Sequence, residues 1–461
     1  MSLERVQQRI DRDKDSFVKD LEAVIRIPSI SSSSANKKDV LACADYLAQR
    51  AKKAGFEKVE VCPTAGHPVV VAEWTKAKNA PTVLVYGHYD VQPVDPLDLW
   101  TTPPFEPSIR DGRLYARGAV DDKGQVWAHL MACEAWIQET GALPVNVKLI
   151  VEGEEEIGSE HLEGFLVKEA KRLEADFVVV SDTAMLDRGR PSICYGLRGL
   201  AYFQIDLTGT STDLHSGSFG GGVKNPLHAL CEIVARLKDP KTGKILVPGF
   251  YDDVRPLSKE ERDRIRALPH DEAGWKKAID LPATFGEPDF GLLERLWARP
   301  TLDLNGIWGG FQGEGAKTVI PALAHAKLSC RLVPDQTPES VGRKVEAFVR
   351  EVAPKEVKLD FKYLHGGLPW VADITHPSFA ACVRALEKGY GTKTYFIREG
   401  GSIPFVRTIA DATKKPCLLL GFGLPDENAH APNEWLDLGN YQRGIKSCAY
   451  LYDELARLPR A

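Results

Sequence analysis

Four short, largely apolar runs, of which only Val147–Val151 carries a polar residue, Lys148, constrain this chain more than any other feature. Val83–Tyr86, Val147–Val151, Phe177–Val180 and Cys417–Leu420 are bounded by Gly, Asp or charged residues. A strand with one wet face alternates apolar and polar side chains, whereas an unbroken run fits a strand covered on both faces. Amphipathic stretches separate the runs. The expected fold class is therefore α/β, a mixed and mostly parallel sheet flanked by helices. The first 60 residues read as helical, with a break over "RIPSISSSSANKK" (26–38). The middle of the chain differs. "AYFQIDLTGTS" (201–211) and "HAKLSCRLVP" (325–334) alternate, as half-exposed strands do, and a polar helical region lies around 252–300. We expect an α+β domain over 200–374, inserted between the two parts of the first domain, 1–199 and 375–461.

Composition narrows the functional classes. A chain of 461 residues suggests two or three domains, at roughly 100–200 residues each. It is 43% hydrophobic and 27% charged, as an ordinary soluble globular protein is. The net charge of −5 is interspersed without a long basic run, which argues against nucleic acid or an anionic membrane as partner. The charged N-terminus lacks a signal-peptide core. No stretch approaches the roughly 18 apolar residues of a membrane span. Nine cysteines without a CxxC pair read as reduced thiols in a cytoplasmic protein, not as a disulfide framework.

Chemistry gathers where the apolar runs stop. "GHYD" carries His88 and Asp90, "RGAVDDKG" carries Asp121 and Asp122, "VEGEEEIGSE" carries Glu152 and Glu154–Glu156, "VVVSDT" carries Asp182, and "ENAHAPNE" carries His430. Each has a plain reading alone: a structural histidine, a turn, a solvated helix start, a helix cap. Together they suit divalent metals, because imidazoles and carboxylates beyond strand ends form an N/O ligand set. His88 and His430 could each give one nitrogen, Asp121 could bridge, and Asp182 with one glutamate could complete two sets. Asp90, on the same face as His88, could orient that ring. Adjacent Glu155 and Glu156 allow one to bind metal while the other takes a proton from water.

These stretches, "YGHYDVQP", "RGAVDDKG", "EGEEEIGS", "SDT" and "NAHAPNE", occur in the order found in the M20 family of di-metal peptidases, which the chain resembles over nearly its whole length. "YGLRG", "DLHSG", "KTVIP", "CRLVPDQTPE", "HGGLPW" and "REGGSIP" look like its carnosinase-like cytosolic dipeptidase branch. The resemblance implies that His88, Asp121 and Asp182 hold one ion and Asp121, Glu156 and His430 the other. It puts Glu155 at the general-base position, with Glu154 at a variable position, and makes the Asp121–Asp122 bond cis. It further implies that Arg331, Thr318, His365, Gly400 and Ser402 line the substrate. The inserted domain would then serve as lid and dimerisation domain, with His215 reaching into the partner's site of a homodimer.

The expected activity is hydrolysis of dipeptides using two divalent ions per subunit, Zn²⁺, Mn²⁺ or Co²⁺. Two alternatives stand beside it. One is an N-acyl-amino-acid deacylase or amidohydrolase with the same metals and base. The other is a metal-bound dimeric scaffold without turnover, against which Glu155 and His215 speak, since neither is needed merely to bind metal. A serine hydrolase at His215–Ser216 lacks the G-x-S-x-G elbow.

Overall fold

The computed structural model describes residues 2–460, which divide into two compact units. The first comprises Met1–Tyr195, Ala372–Ile397 and Pro404–Ala461; the second comprises Gly196–Val371 and Arg398–Ile403. The sequence predicts boundaries at 199/200 and 374/375; in the structure they fall at 195/196 and 371/372, and Arg398–Ile403 makes a further return to the second unit. Its reason is local: Arg198 N donates to Gly401 O at 3.1 Å and Arg198 Nε to Gly400 O at 3.1 Å.

In the first unit the apolar runs form the centre of a mixed sheet. Strands Asn146–Glu152, Thr82–His88, Phe177–Val180 and Cys417–Leu419 lie side by side and parallel. Val69–Trp74 and then Lys58–Cys62 extend one side antiparallel, and Ser192–Leu197 continues the other. Every residue of Thr82–His88 is buried, as its lack of alternation predicts. Helix Lys123–Thr140 is buried over most of its circumference, as a helix embedded between layers must be. It ends at Gly141, whose φ of 77° suits a residue without Cβ.

In the second unit, strands Thr301–Gly309, Leu323–Leu332, Gly199–Thr208 and Lys358–Gly367 make an antiparallel sheet in that order. Alternation sorts its faces. Ala201, Phe203, Ile205 and Leu207 are buried against a core that includes Leu230, Ile233, Val341 and Val345 from helices Pro226–Ala235 and Pro338–Val352. Tyr202, Gln204 and Asp206 occupy the other face, half-buried. Both helices start with side-chain caps, Asn225 Oδ1 accepting from Leu227 N at 2.9 Å and Thr337 Oγ1 from Ser340 N at 3.1 Å. Among the described residues no helix is long and apolar enough to cross a membrane. All nine cysteines are free thiols, and only Cys231 is exposed.

Candidate metal centre

All four parallel strands point their carboxyl ends at one cluster. His88 closes Thr82–His88, Glu155 and Glu156 follow Asn146–Glu152, Asp182 lies two residues past Phe177–Val180, and His430 lies in the loop after Cys417–Leu419. Asp121 comes from the turn before helix Lys123–Thr140, and the Asp121–Asp122 bond is cis. Two groups of ligand atoms result, each within 4.8 Å: His88, Asp121 and Asp182, and Asp121, Glu156 and His430. Asp121 belongs to both. Its Oδ1 lies 3.2 Å from His88 Nε2 and its Oδ2 lies 2.8 Å from His430 Nε2. Glu156 is 3.2 Å from His430 Nε2, and Asp182 is 3.7 Å from His88 Nε2.

The donor set fits a pair of divalent ions. It offers imidazole nitrogens and carboxylate oxygens on both sides of one shared carboxylate, the arrangement a two-metal centre needs. The surrounding bonds aim each donor. His88 Nδ1 lies 3.1 Å from Asp90 O and 3.4 Å from Asp90 Oδ1, which leaves Nε2 facing the cluster. The Asp90 carboxylate also accepts from Glu155 N at 3.3 Å and Glu156 N at 3.1 Å, so one buried aspartate orients a ring and a turn. Asp122 precedes a helix without capping it; its carboxylate accepts instead from His88 N at 3.2 Å. Ser181, next to Asp182, donates to Leu420 O at 2.7 Å. His129 Nε2, 2.8 Å away, must then carry the proton to that hydroxyl, and burial lowers the His129 pKa to about 3, so this ring is neutral.

The three consecutive glutamates part ways. Glu154 is buried and accepts from His67 N at 3.0 Å, with His161 Nδ1 at 2.9 Å. Glu156 joins the second ligand group. Glu155 belongs to neither group. Burial, then the charges of Asp182, Glu156 and Asp121, push its carboxyl well above the usual range. The imidazoles respond oppositely. Burial disfavours charge on His88, but its bonds to Asp121, Asp182 and Asp90 outweigh that and raise its basicity. Bonds to Asp121 and then Glu156 raise His430 to about 10. Burial raises Asp182 to about 6 against the pull of His88, while the two histidines hold Asp121 below its ordinary value despite burial.

Gln92, to which the sequence reading gave no role, donates from Nε2 to Glu156 Oε2 at 2.7 Å. His430 sits at φ 62°, a left-handed conformation that a non-glycine residue adopts only when its surroundings hold it. They do here. Asn433 bonds Thr101 N and Leu99 O at 2.8 Å each, and buried Glu427 accepts from Leu424 N at 2.6 Å and Asp437 N at 2.8 Å.

The remaining candidates belong to the second unit. Arg331 pairs with Leu200 and His365 with Tyr202 across the central strand, so both lie at one end of one face. The His365 ring stacks on Tyr202 at 5.2 Å. Arg331 Nη1 donates to Ser402 Oγ at 3.3 Å, and Ser402 Oγ donates to Arg198 O at 2.5 Å. A Cβ on Gly400 would meet Arg198 Nη2 at 2.8 Å and Leu296 O at 3.1 Å, so a side chain there would push the Arg198 guanidinium aside. Arg198, unremarked in the sequence, thus holds the segment bearing Gly400 and Ser402. His215 and Thr318 meet on a two-stranded ribbon, where Leu214 pairs with Ile320 and His215 with Val319, and Ser216 N donates to Thr318 O at 3.1 Å. His215 is exposed. Its Nδ1 accepts from Gly217 N at 3.0 Å and Ser218 N at 3.2 Å, so the ring's proton is on Nε2.

Comparison with known proteins agrees with this chemistry. The model of peptidase family M20/M25/M40 matches residues 84–454. The Cys-Gly metallodipeptidase dug1 of Schizosaccharomyces pombe is 38% identical, over 98% of this chain and 98% of that protein. The Beta-Ala-His dipeptidase of Homo sapiens is 34% identical, over 99% of this chain and 93% of that protein. The crystal structure of human carnosine dipeptidase 1 superposes with a TM-score of 0.87 at 33% identity, covering 99% of each chain. With the family match spanning most of the chain and these relatives alike from end to end, the chain belongs to peptidase family M20/M25/M40.

Proposed function

We propose that this chain is a metal-dependent dipeptidase with two divalent ions per subunit. The observation that carries the reading is the sharing of Asp121 between two ligand groups while Glu155 stays outside both. His88, Asp121 and Asp182 would hold one ion; Asp121, Glu156 and His430 would hold the other. When bound, the pair polarises a carbonyl and lowers the pKa of a water. Glu155 takes that water's proton and passes it to the leaving amine. Its burial beside Asp182, Glu156 and Asp121 favours taking up a proton there. Asp90 keeps His88 and the Glu155–Glu156 turn in register. Arg331 receives the free carboxylate of the dipeptide through its planar fork, steadied by Ser402, with Thr318, His365 and Gly400 as further substrate contacts. His215, with its proton on Nε2, donates to the carbonyl oxygen as charge develops there.

We further propose that the active form is a homodimer in which His215 serves the partner's site. The edge strand Thr301–Gly309 supports this, because it exposes Leu304, Ile307 and Trp308, an apolar edge that a second copy would cover. Mixing inactive Glu155→Gln with inactive His215→Ala should restore activity; no recovery after verified subunit exchange would mean action within one chain. Free, mostly buried thiols support a cytoplasmic location.

The test of the activity is amine release from a dipeptide panel that includes Cys-Gly and β-Ala-His, with N-acetyl amino acids alongside. The protein is stripped by chelator and refilled separately with Zn²⁺, Mn²⁺ or Co²⁺. Metal-restored cleavage of dipeptides alone is expected. Cleavage of only the acylated set would move the substrate class to deacylation, and stoichiometric binding without turnover would leave a scaffold.

A further inference from the structure

Glu434 is a fully buried carboxylate outside both ligand groups, and four donors converge on it. Oε2 accepts from Arg117 Nη1 at 2.8 Å and Gly118 N at 2.9 Å; Oε1 accepts from Val120 N at 3.0 Å and Asp121 N at 3.2 Å. Its own carbonyl accepts from Ala116 N at 3.0 Å. The loop so gripped ends in Asp121, the carboxylate shared by both groups. Glu434 itself stands four residues after His430, on the loop that carries the second imidazole. The clamp is braced from behind, where Arg117 Nη2 donates to Pro93 O at 3.0 Å and the guanidinium lies 5.4 Å from the Trp100 ring. A buried carboxylate is costly unless its oxygens are filled by donors, and here they are filled by the backbone of the bridging turn.

We propose that Glu434 is the positioning residue for the two-metal bridge: it ties the Asp121 turn to the His430 loop and presets the shared carboxylate before any ion arrives. This rests on the metal-pair reading above. Glutamine has the same shape but only one acceptor oxygen. Its amide would face N–H donors on whichever side it turned, so one half of the clamp would open.

The test uses the full chain, stripped by chelator and titrated with Mn²⁺ under calorimetry and electron paramagnetic resonance. Wild type should bind two equivalents and give the signal of a spin-coupled pair; fewer than two would defeat the metal-pair reading itself, whatever Glu434 does. Folded Glu434→Gln, checked by near-ultraviolet circular dichroism, should bind Mn²⁺ about 10–100-fold more weakly, the usual effect of losing an outer-shell partner, and lose the coupled signal. Its melting temperature should also rise less on adding Mn²⁺, whereas a merely structural role would lower both melting temperatures alike. Wild-type Mn²⁺ affinities and coupling in the variant would overturn the proposal. Amide exchange in metal-free wild type gives a measurement that needs no variant. Gly118, Val120 and Asp121 should be protected already; exchange at exposed-loop rates until Mn²⁺ is added would equally overturn it.

Discussion

Replacing Glu155 with glutamine isolates the proposed base from everything around it. The side chain keeps its volume, and the turn is held through the backbone, where Glu155 N donates to Asp90 Oδ1 at 3.3 Å and Glu156 N to Asp90 Oδ2 at 3.1 Å. Neither ligand group includes residue 155, so both ions should be kept. What disappears is the proton acceptor, a loss of about 10²–10⁴ in kcat, or about 2.7–5.4 kcal/mol at 1.36 kcal/mol per tenfold. KM should change little. The sign of the stability effect follows from the same neighbours. Glu155 has a raised pKa in the folded chain, so its ionisation opposes folding, and this penalty grows as pH rises above the unfolded value. Metal-free Glu155→Gln should therefore melt at or above the wild-type temperature at neutral pH. Steady-state rates on a dipeptide, with metal content by mass spectrometry, decide the matter. Activity within threefold of wild type, at full metal content, would refute the base. Loss of one equivalent of metal would instead make Glu155 a ligand.

Three other outcomes are expected. In the stripped protein, bonds to Asp121 and Glu156 raise His430 from 6.5 to about 10, so the stability it adds is complete below 6.5 and lost as pH climbs through about 10. The melting temperature of the stripped form should fall between pH 7 and 10 while the metal-loaded form lacks this slope, because a ligating imidazole is already deprotonated; parallel curves would contradict it. Gly421→Ala drives a Cβ to 1.9 Å from Thr183 O, beside Asp182. Denaturant titration should find it about 1–3 kcal/mol less stable, with weaker metal retention. Arg331→Lys keeps the charge but loses the fork, so KM for dipeptides should rise about tenfold with kcat nearly unchanged. C-terminally amidated dipeptides should feel no such change, and an equal loss on both would remove Arg331 from carboxylate binding.

Much of the frame could be read along the chain because it is written locally. Unbroken apolar runs such as Phe177–Val180 are buried strands since no polar side chain interrupts them, and residues just past a strand end must emerge where the sheet stops. The alternation of 201–208 likewise gives one buried and one wet face. Within the cluster, pattern alone left Glu154, Glu155 and Glu156 interchangeable. Their neighbours separate them: Glu154 is held by His67 N and His161, and Glu156 meets His430.

Contacts between distant segments were beyond the pattern. Glu434 and Asp121 are 313 positions apart, and nothing near either residue announces that one carboxylate will take the other's backbone N–H. Gln92 on Glu156 and Arg198 on Gly400 are of the same kind. The sequence by itself determined the residue types, the strands that carry them and the order in which they come, because hydrophobic period and chain direction act over a few residues. Only the tertiary structure decided which buried acid holds the turn that carries Asp121, and which side chains, Gln92 and Arg198 among them, brace the residues named from the sequence. Those outcomes depend on hydrogen-bond geometry, which exists only once distant segments have been brought within a few ångströms of each other.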